Sequence, residues 1–438
     1  MSETLAETEC DVLVVGGGPA GSTVAALLAQ RGERVVLVEK DKHPRFHIGE
    51  SLLPLNLPLI EKLGVADEVK RIGIVKYGAE FVSPTHKKKS VKFEFANAWD
   101  KNFPYAYQVR RSEFDHILLK NAASKGATVV EECRVSDVEF LGPQQGVRVK
   151  GQTSQGESRR WRAKFLVDAT GRDTLLANRF GFKQRNPRHA SAAMFAHFTG
   201  AKRLSGKEEG NITVFWFDRG WIWFIPLADG ATSIGAVASP QYFKARKSDM
   251  TKFFMDTIAL APDLVERLKD AKMVSPVTAT GNYSYKCACM TGDNYIMLGD
   301  AFAFVDPLFS TGVYLAMNSA FLGADVVSTC LHEPAKKELA YKSFEAEIRR
   351  AIDIYSWYIQ RAPTPAMRHL LMVKRNVFRI EEAVLSVLAG DVFRPLPIRI
   401  KLLGFKIAYY ITSLTILKSS LETWRTLRRM RKSAPEST

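Results

Sequence analysis

The chain has 438 residues, 46% hydrophobic and 25% charged, with 62 Lys and Arg against 46 Asp and Glu for a net charge of +16. That is enough apolar material for a large core in two or three domains, and it excludes a disordered or low-complexity chain. Ten cations and one Glu between Arg394 and Lys432 give a local +9, leaving +7 of the +16 for the remainder. Without a finger, a recognition helix or an aromatic RNA-binding motif, this basic balance does not indicate nucleic acid.

The apolar run Val12 to Val15 predicts a parallel strand buried on both faces, and Gly16-x-Gly18-x-x-Gly21 follows it directly. Gly16 permits the tight turn, Gly18 the close approach of a pyrophosphate, and Gly21 the packing of helix on strand. A helix from about Pro19 to Gln30 aims its free N–H groups at that phosphate, with Ala20 in its first turn. Glu39 ends a second strand, eighteen positions after Gly21, where a carboxylate accepts from ribose hydroxyls. An ordinary glycine-rich turn would not explain Glu39.

Asp41 to Pro54 is too polar and proline-marked for a long helix, and Asn56 to Leu63 is helical in pattern. Lys76 to Phe81 and Val91 to Phe95 alternate as strands of a second sheet, and Lys87 to Lys89 are solvated charges. Ser112 to Ser124 has helical spacing with Ser112 as N-cap. Ala127 to Phe140 and Val147 to Trp161 predict a strand pair, and Phe165 to Gly171 a buried strand ending in a turn. Ala190 to Gln241 is rich in Phe, Trp, Ile, Val and Thr, as expected of an antiparallel sheet walling a substrate chamber. Asn294 to Leu298 predicts a further strand, Gly312 to Leu331 a long apolar helix, and the chain beyond Glu333 is helical in pattern. No uninterrupted apolar run reaches about 18 residues, so no spanning helix is expected. Five scattered cysteines and no secretory signal before the first strand point to a reducing cytoplasm, and Cys287 and Cys289 lack partners for a metal site.

Three motifs together resemble the flavin-dependent halogenases, within the FAD enzymes related to para-hydroxybenzoate hydroxylase, over roughly Asp11 to Asp353. Trp221-Ile-Trp223-Phe-Ile225-Pro226 matches W-x-W-x-I-P, and Phe304-x-x-Pro307-x-x-Ser310-x-Gly312 matches F-x-x-P-x-x-S-x-G. Lys76, in K-x-G-A-x-F, stands where that family has its catalytic lysine. The resemblance implies an α/β fold: a Rossmann-type FAD-binding domain (1–75, 109–186, 276–332), an inserted antiparallel β-sheet substrate domain (76–108, 187–275) and a helical C-terminal region (333–438). It implies FAD at Gly16, Gly18, Pro19, Ala20, Gly21, Glu39, Lys40, Arg45, Glu50, Ser51, Arg111, Asp168, Gly171, Asp300, Pro307, Gly312 and Val313.

In that family reduced flavin and oxygen turn halide into hypohalous acid, which a lysine relays to an aromatic carbon. Lys76 takes that role here, the turn Ser310, Thr311 and Gly312 offers N–H groups to chloride or bromide, and Trp221 and Trp223 wall the flavin from the substrate. A helix N-terminus holds an anion without any cation. Tryptophan halogenases carry a glutamate where this chain has Phe309, which argues for a phenol, resorcinol or pyrrole, free or on a carrier protein. The general base stays open between His47 and Glu50. A second glycine fingerprint is missing, so a separate flavin reductase is expected. An aromatic hydroxylase or polyprenyl reductase of the same fold, and a non-catalytic flavoprotein partner, remain as alternatives. The interleaved cations and apolar residues from Arg394 to Lys432 read as an amphipathic helix that either packs on the FAD domain or meets a membrane surface.

Overall fold

The computed structural model describes residues 7–86, 90–185, 191–281, 284–372, 379–393, 399–416, 421 and 425. Val12, Leu13 and Val14 have no polar side-chain atom to offer solvent and are fully buried, so the strand Glu7–Val15 takes an interior position in an eight-stranded sheet. Val35–Val38 and Ser158–Asp168 flank it in parallel, placing Val35 and Phe165 on either side of Val12. Thr128–Val130 and Tyr295–Met297 extend the parallel run outward. Gly146–Thr153 folds back antiparallel on Ser158–Asp168, and Cys133–Gly142 on Gly146–Thr153.

The strand expected from Ala127 to Phe140 is therefore two strands. The chain breaks at Glu132, which takes a φ of 55°, so that Thr128–Val130 can pair in parallel while Cys133–Gly142 turns into the antiparallel ladder. Helix Pro19–Gln30 has the bounds read from the sequence and lies between helices Arg111–Ser124 and Gly312–His332. Ser112 is not the N-cap of Arg111–Ser124: Arg110 is, because Arg111 already belongs to the first turn and bonds Asp115 one turn on. Gly312–His332 is long and apolar enough to cross a membrane by length and composition alone. Its Met317, Ala320, Ala324 and Val327 are nevertheless core residues, with Gly323 set close against Leu298.

A second eight-stranded sheet runs Lys272–Met273, Ala192–Thr199, Thr232–Ala238, Gly220–Pro226, Ile212–Phe217, Gly78–Val82, Ser90–Glu94, with Thr278–Gly281 also on Ala192–Thr199. It is antiparallel except where Ile212–Phe217 meets Gly78–Val82. The two-residue period of its strands sorts side chains to opposite faces. Phe195, Val214, Trp216, Trp221, Trp223 and Ile225 join the core shared with the first sheet. Met194, Phe215, Ile222, Phe224 and Ile234 form a separate apolar cluster with Phe254, Ile258 and Leu264 from the helices beneath. With both faces covered, the strands read as nearly continuous apolar runs.

The C-terminal helices Lys337–Ile359, Pro365–Met372 and Ile380–Ala389 add Tyr355, Met367 and Leu385 to the same core as Val12. Helix Arg399–Thr415 follows. Lys87 to Lys89, and Leu417, Trp424 and Leu427 of the expected amphipathic segment, lie outside the described residues.

Candidate active site

One cavity of about 840 Å³ lies between the two sheets, lined by both. Its first end is the glycine turn, where the three glycines do different work. A Cβ on Gly16 would lie 2.3 Å from the Ala169 carbonyl oxygen, at a φ of +106° that favours glycine, and one on Gly21 would lie 1.8 Å from the Gly16 oxygen. Both are required by protein packing on protein. A Cβ on Gly18 would meet only the Arg45 guanidinium, at 3.6 Å. The space in front of Gly18 is therefore left for a ligand.

Helix Pro19–Gln30 starts there with no side-chain cap and no acid in its first turn, so its unbonded amides face the cavity uncompensated beside Arg45. Glu39 is buried and accepts from the Gly17 amide on Oε2 and from the Asp41 amide on Oε1 at 3.0 Å. Each oxygen keeps a lone pair for a hydroxyl donor. Lys40 and Asp173, which pair with each other, also line this end. These residues fit the adenosine and pyrophosphate half of FAD.

Asp300 sits in a short turn, Gly299–Ala301, and lines the cavity between the starts of helices Pro19–Gln30 and Gly312–His332, a Cβ on Gly299 lying 3.5 Å from Ala20 and 3.1 Å from Ala316. Desolvation pushes its carboxyl up to about 7, against the pull of the Arg111 and Arg172 guanidiniums. Arg111 is itself clamped, donating to Asp115 and to the Ile48 carbonyl, and so ties the loop carrying His47 to Ser51 to its helix. Helix Gly312–His332 is the second uncapped N-terminus facing the cavity, again without an acid in its first turn. Ser310, in the left-handed region at φ 57°, precedes it. Of the three amides expected to serve a halide, that of Ser310 is already spent on the Pro307 carbonyl at 2.9 Å. Thr311 and Gly312, at the helix start, have no carbonyl one turn back within the helix and are left for an anion.

Trp221 and Trp223 both line the cavity from the second sheet, their rings 6.0 Å apart. The Trp223 indole donates to Ser233 at 3.1 Å, and its ring fills the place where Gly235 lacks a side chain. Lys76 ends the strand Ile74–Lys76, which pairs with Ala106–Gln108. It is 1% exposed, and its Nζ donates to Ser51 Oγ at 2.9 Å and to the Leu52 carbonyl at 2.7 Å, over the Phe95 ring. No carboxylate among the described residues pairs with it, and desolvation lowers its pKa from 10.5 to about 7. Lys76 does not itself line the cavity; Ser51 stands between.

The structure gathers most of the residues singled out in the sequence: Gly16, Gly18, Pro19, Ala20, Glu39, Lys40, Arg45, Glu50, Ser51, Arg111, Gly171, Asp300, Pro307, Ser310, Thr311, Gly312 and Val313 all line the cavity. Gly21 and Asp168 do not. Asp168 is fully buried and faces away, its oxygens taken by the Thr170 amide and hydroxyl and by the Leu176 amide, so it shapes the turn before Gly171 instead of touching a cofactor. Phe309 points into the core.

The two base candidates differ. His47 is held by the Ile48 carbonyl at 2.7 Å, and desolvation with the Arg111 charge lowers its pKa to about 4. Glu50 is buried against His197 Nε2 at 2.9 Å, while its Oε2 has no partner among the described residues. Sequence reasoning missed His197, Arg172, Phe46 and Thr280. Arg172 directly follows Gly171 and was within reach of the motif; His197 is 147 positions from Glu50 and carries no local signal.

A family model described as FAD binding domain matches residues 9–352. The chain is 30% identical over 416 residues to a 1H-pyrrole-2-carbonyl-(peptidyl-carrier protein) chlorinase of Pseudomonas fluorescens, covering 89% of this chain and 91% of that one. It is 34% identical over 375 residues to a flavin-dependent halogenase of Armillaria mellea, covering 76% and 72%. Among solved structures, the myxobacterial chondrochloren halogenase superimposes with a TM-score of 0.77 at 32% identity, over 89% of this chain and 92% of that one. A flavoprotein/dehydrogenase from Cytophaga hutchinsonii superimposes with a TM-score of 0.84 at 28% identity, over 93% and 99%.

Proposed function

The chain belongs to the flavin-dependent halogenases, built on an FAD binding domain, and from that premise we propose which of its residues carry the halogenation. FAD, when bound and reduced by a separate flavin reductase, supplies the electrons with which oxygen converts chloride or bromide to hypohalous acid. The glycine turn, the Pro19–Gln30 amides and Arg45 hold the pyrophosphate, Glu39 the ribose, and Asp300 a ribityl hydroxyl. The Thr311 and Gly312 amides hold the halide. Trp221 and Trp223 keep the aromatic substrate off the flavin, which favours halogen transfer over hydroxylation.

Lys76 carries the oxidant onward, and the observation behind this is its buried amine, held only by the Ser51 hydroxyl and the Leu52 carbonyl among the described residues, with burial lowering its pKa to about 7. Burial favours its neutral form, which has a lone pair for positive halogen, while the cationic form donates a hydrogen bond to hypohalous oxygen. Ser51, bonded to Lys76 and lining the cavity, is the link between the lysine and the cavity. The substrate is an electron-rich ring, a phenol, resorcinol or pyrrole, free or tethered to a carrier protein; Phe309 in place of a glutamate supports this. The division into an FAD-binding domain, a sheet domain bearing the tryptophans and a helical C-terminal region is part of the same reading.

Mass spectrometry of candidate phenols and pyrroles, free and carrier-bound, with reductase, oxygen and mixed halides tests it. Halogenated product that disappears with Lys76→Ala is expected. Hydroxylated product, or normal halogenation by Lys76→Ala, overturns the assignment.

A further inference from the structure

Helix Arg399–Thr415 is apolar on two sides, and only one is used. Leu402, Phe405 and Tyr409 are buried in the core, Tyr409 at 1% exposure and edge-on to Trp357. On the opposite side Ile400, Leu403, Ile407, Tyr410, Ile411 and Leu414 stand exposed, Ile400 at 83% and Leu414 at 69%. Their spacing of three, four, three, one and three keeps them on one stripe, roughly 21 Å long at the rise of an α-helix. Together with Leu421 they make up seven of the fourteen large exposed apolar side chains among the described residues, the others being Phe46, Leu339 and five between Met255 and Val274. A contiguous exposed stripe of this kind marks an interaction surface.

The charges say what it meets. Lys401 and Lys406 lie on the two flanks between the buried and exposed sides, over the rings of Trp99 and Trp357, and the helix contains no Asp or Glu. The sequence around it carries ten cations and one Glu. A second copy of this chain packed on the stripe would bring those cations against their own counterparts with no acid in the helix to answer them. An acidic protein would answer the cations but leave a row of Ile and Leu to cover. An anionic lipid surface does both: the apolar stripe enters the head-group boundary and the flanking cations meet phosphates.

We propose that helix Arg399–Thr415 docks the enzyme on an anionic membrane surface, lying in its plane with Ile400, Leu403, Ile407, Ile411 and Leu414 inserted. The docking stands apart from the halogenation reading and can fail without it.

The full chain is floated with phosphatidylcholine vesicles, with and without phosphatidylglycerol, at low and high salt. Binding to the anionic vesicles that weakens with salt is expected, as is its loss in Leu403→Ser/Ile407→Ser/Ile411→Ser, a variant altered only at exposed positions and checked for unchanged flavin content and melting. Lys401→Gln/Lys406→Gln should bind roughly 25-fold more weakly, about fivefold for each cation removed. Failure of the wild type to float overturns the proposal, as does equal flotation of the triple variant. It is overturned equally by a dimer, or by a complex with an acidic carrier protein, that needs the stripe while vesicles do not.

Discussion

Replacing Lys76 by Met keeps the length of the side chain and removes the amine, which separates what a buried cation costs from what it does. The shift from 10.5 to about 7 means that holding the charged form inside costs about 5 kcal/mol below about pH 7, at about 1.4 kcal/mol per pKa unit. The unfolded chain keeps the proton up to its ordinary pKa, whereas the native protein gives it up near 7. Between those values the unfolded state binds more protons, so the stability of the wild type climbs with pH. By about pH 9 the cost has fallen to about 2 kcal/mol. Met leaves the Leu52 carbonyl and Ser51 hydroxyl without their donor, a loss of about 1–3 kcal/mol that does not depend on pH. Lys76→Met should therefore be more stable than the wild type by about 2–4 kcal/mol near pH 6 and nearly equal to it near pH 9. Denaturant unfolding of both flavin-free proteins at the two pH values measures this. Parallel pH dependence of wild type and variant would show that the lysine is not desolvated and would sink the relay argument. The same variant should bind FAD and consume oxygen while yielding no halogenated product.

Gly18→Ala should fold with unchanged stability, because its Cβ has room, yet lose flavin affinity; Gly21→Ala should fail to fold stably, and circular dichroism with flavin titration distinguishes the two. Asp300→Asn should weaken FAD binding and raise the melting temperature of the flavin-free protein above about pH 7, since the folded-state pKa is raised to about 7 and the wild-type carboxylate must ionise in a site that disfavours it; unchanged melting there would refute the desolvation. Gly235→Ala places a Cβ 2.1 Å from the Trp223 ring, and should cost about 1–3 kcal/mol by overpacking and lower halogenation with flavin binding retained. Normal product yield would show that Trp223 has no part in positioning the substrate.

What could be read from the sequence is what neighbouring residues impose on one another. The bounds of Pro19–Gln30 follow from a proline at the start and an apolar pattern at helical spacing, and the roles of Gly16 and Gly21 follow from where a turn and a close crossing must fall. Trp221 and Trp223 share the cavity face because strands alternate. Tertiary structure decided the rest. Asp168 ends a strand beside the cofactor turn as expected, but the Leu176 amide eight positions on, with Thr170, draws its carboxylate inward. Ser310 lost its amide to Pro307. The C-terminal helix buried Leu402, Phe405 and Tyr409 and left the longer apolar stripe outside, a choice between two faces that its own pattern did not make. Lys76 is the sharpest case: the sequence placed it at the start of a strand of the second sheet, whereas it ends Ile74–Lys76 in a two-stranded pair with Ala106–Gln108, and its dry setting comes from Ser51 and Leu52, some 25 positions away. Desolvation is the sum of everything packed around a group, and local sequence carries only the part supplied by a helix turn or a strand's alternation.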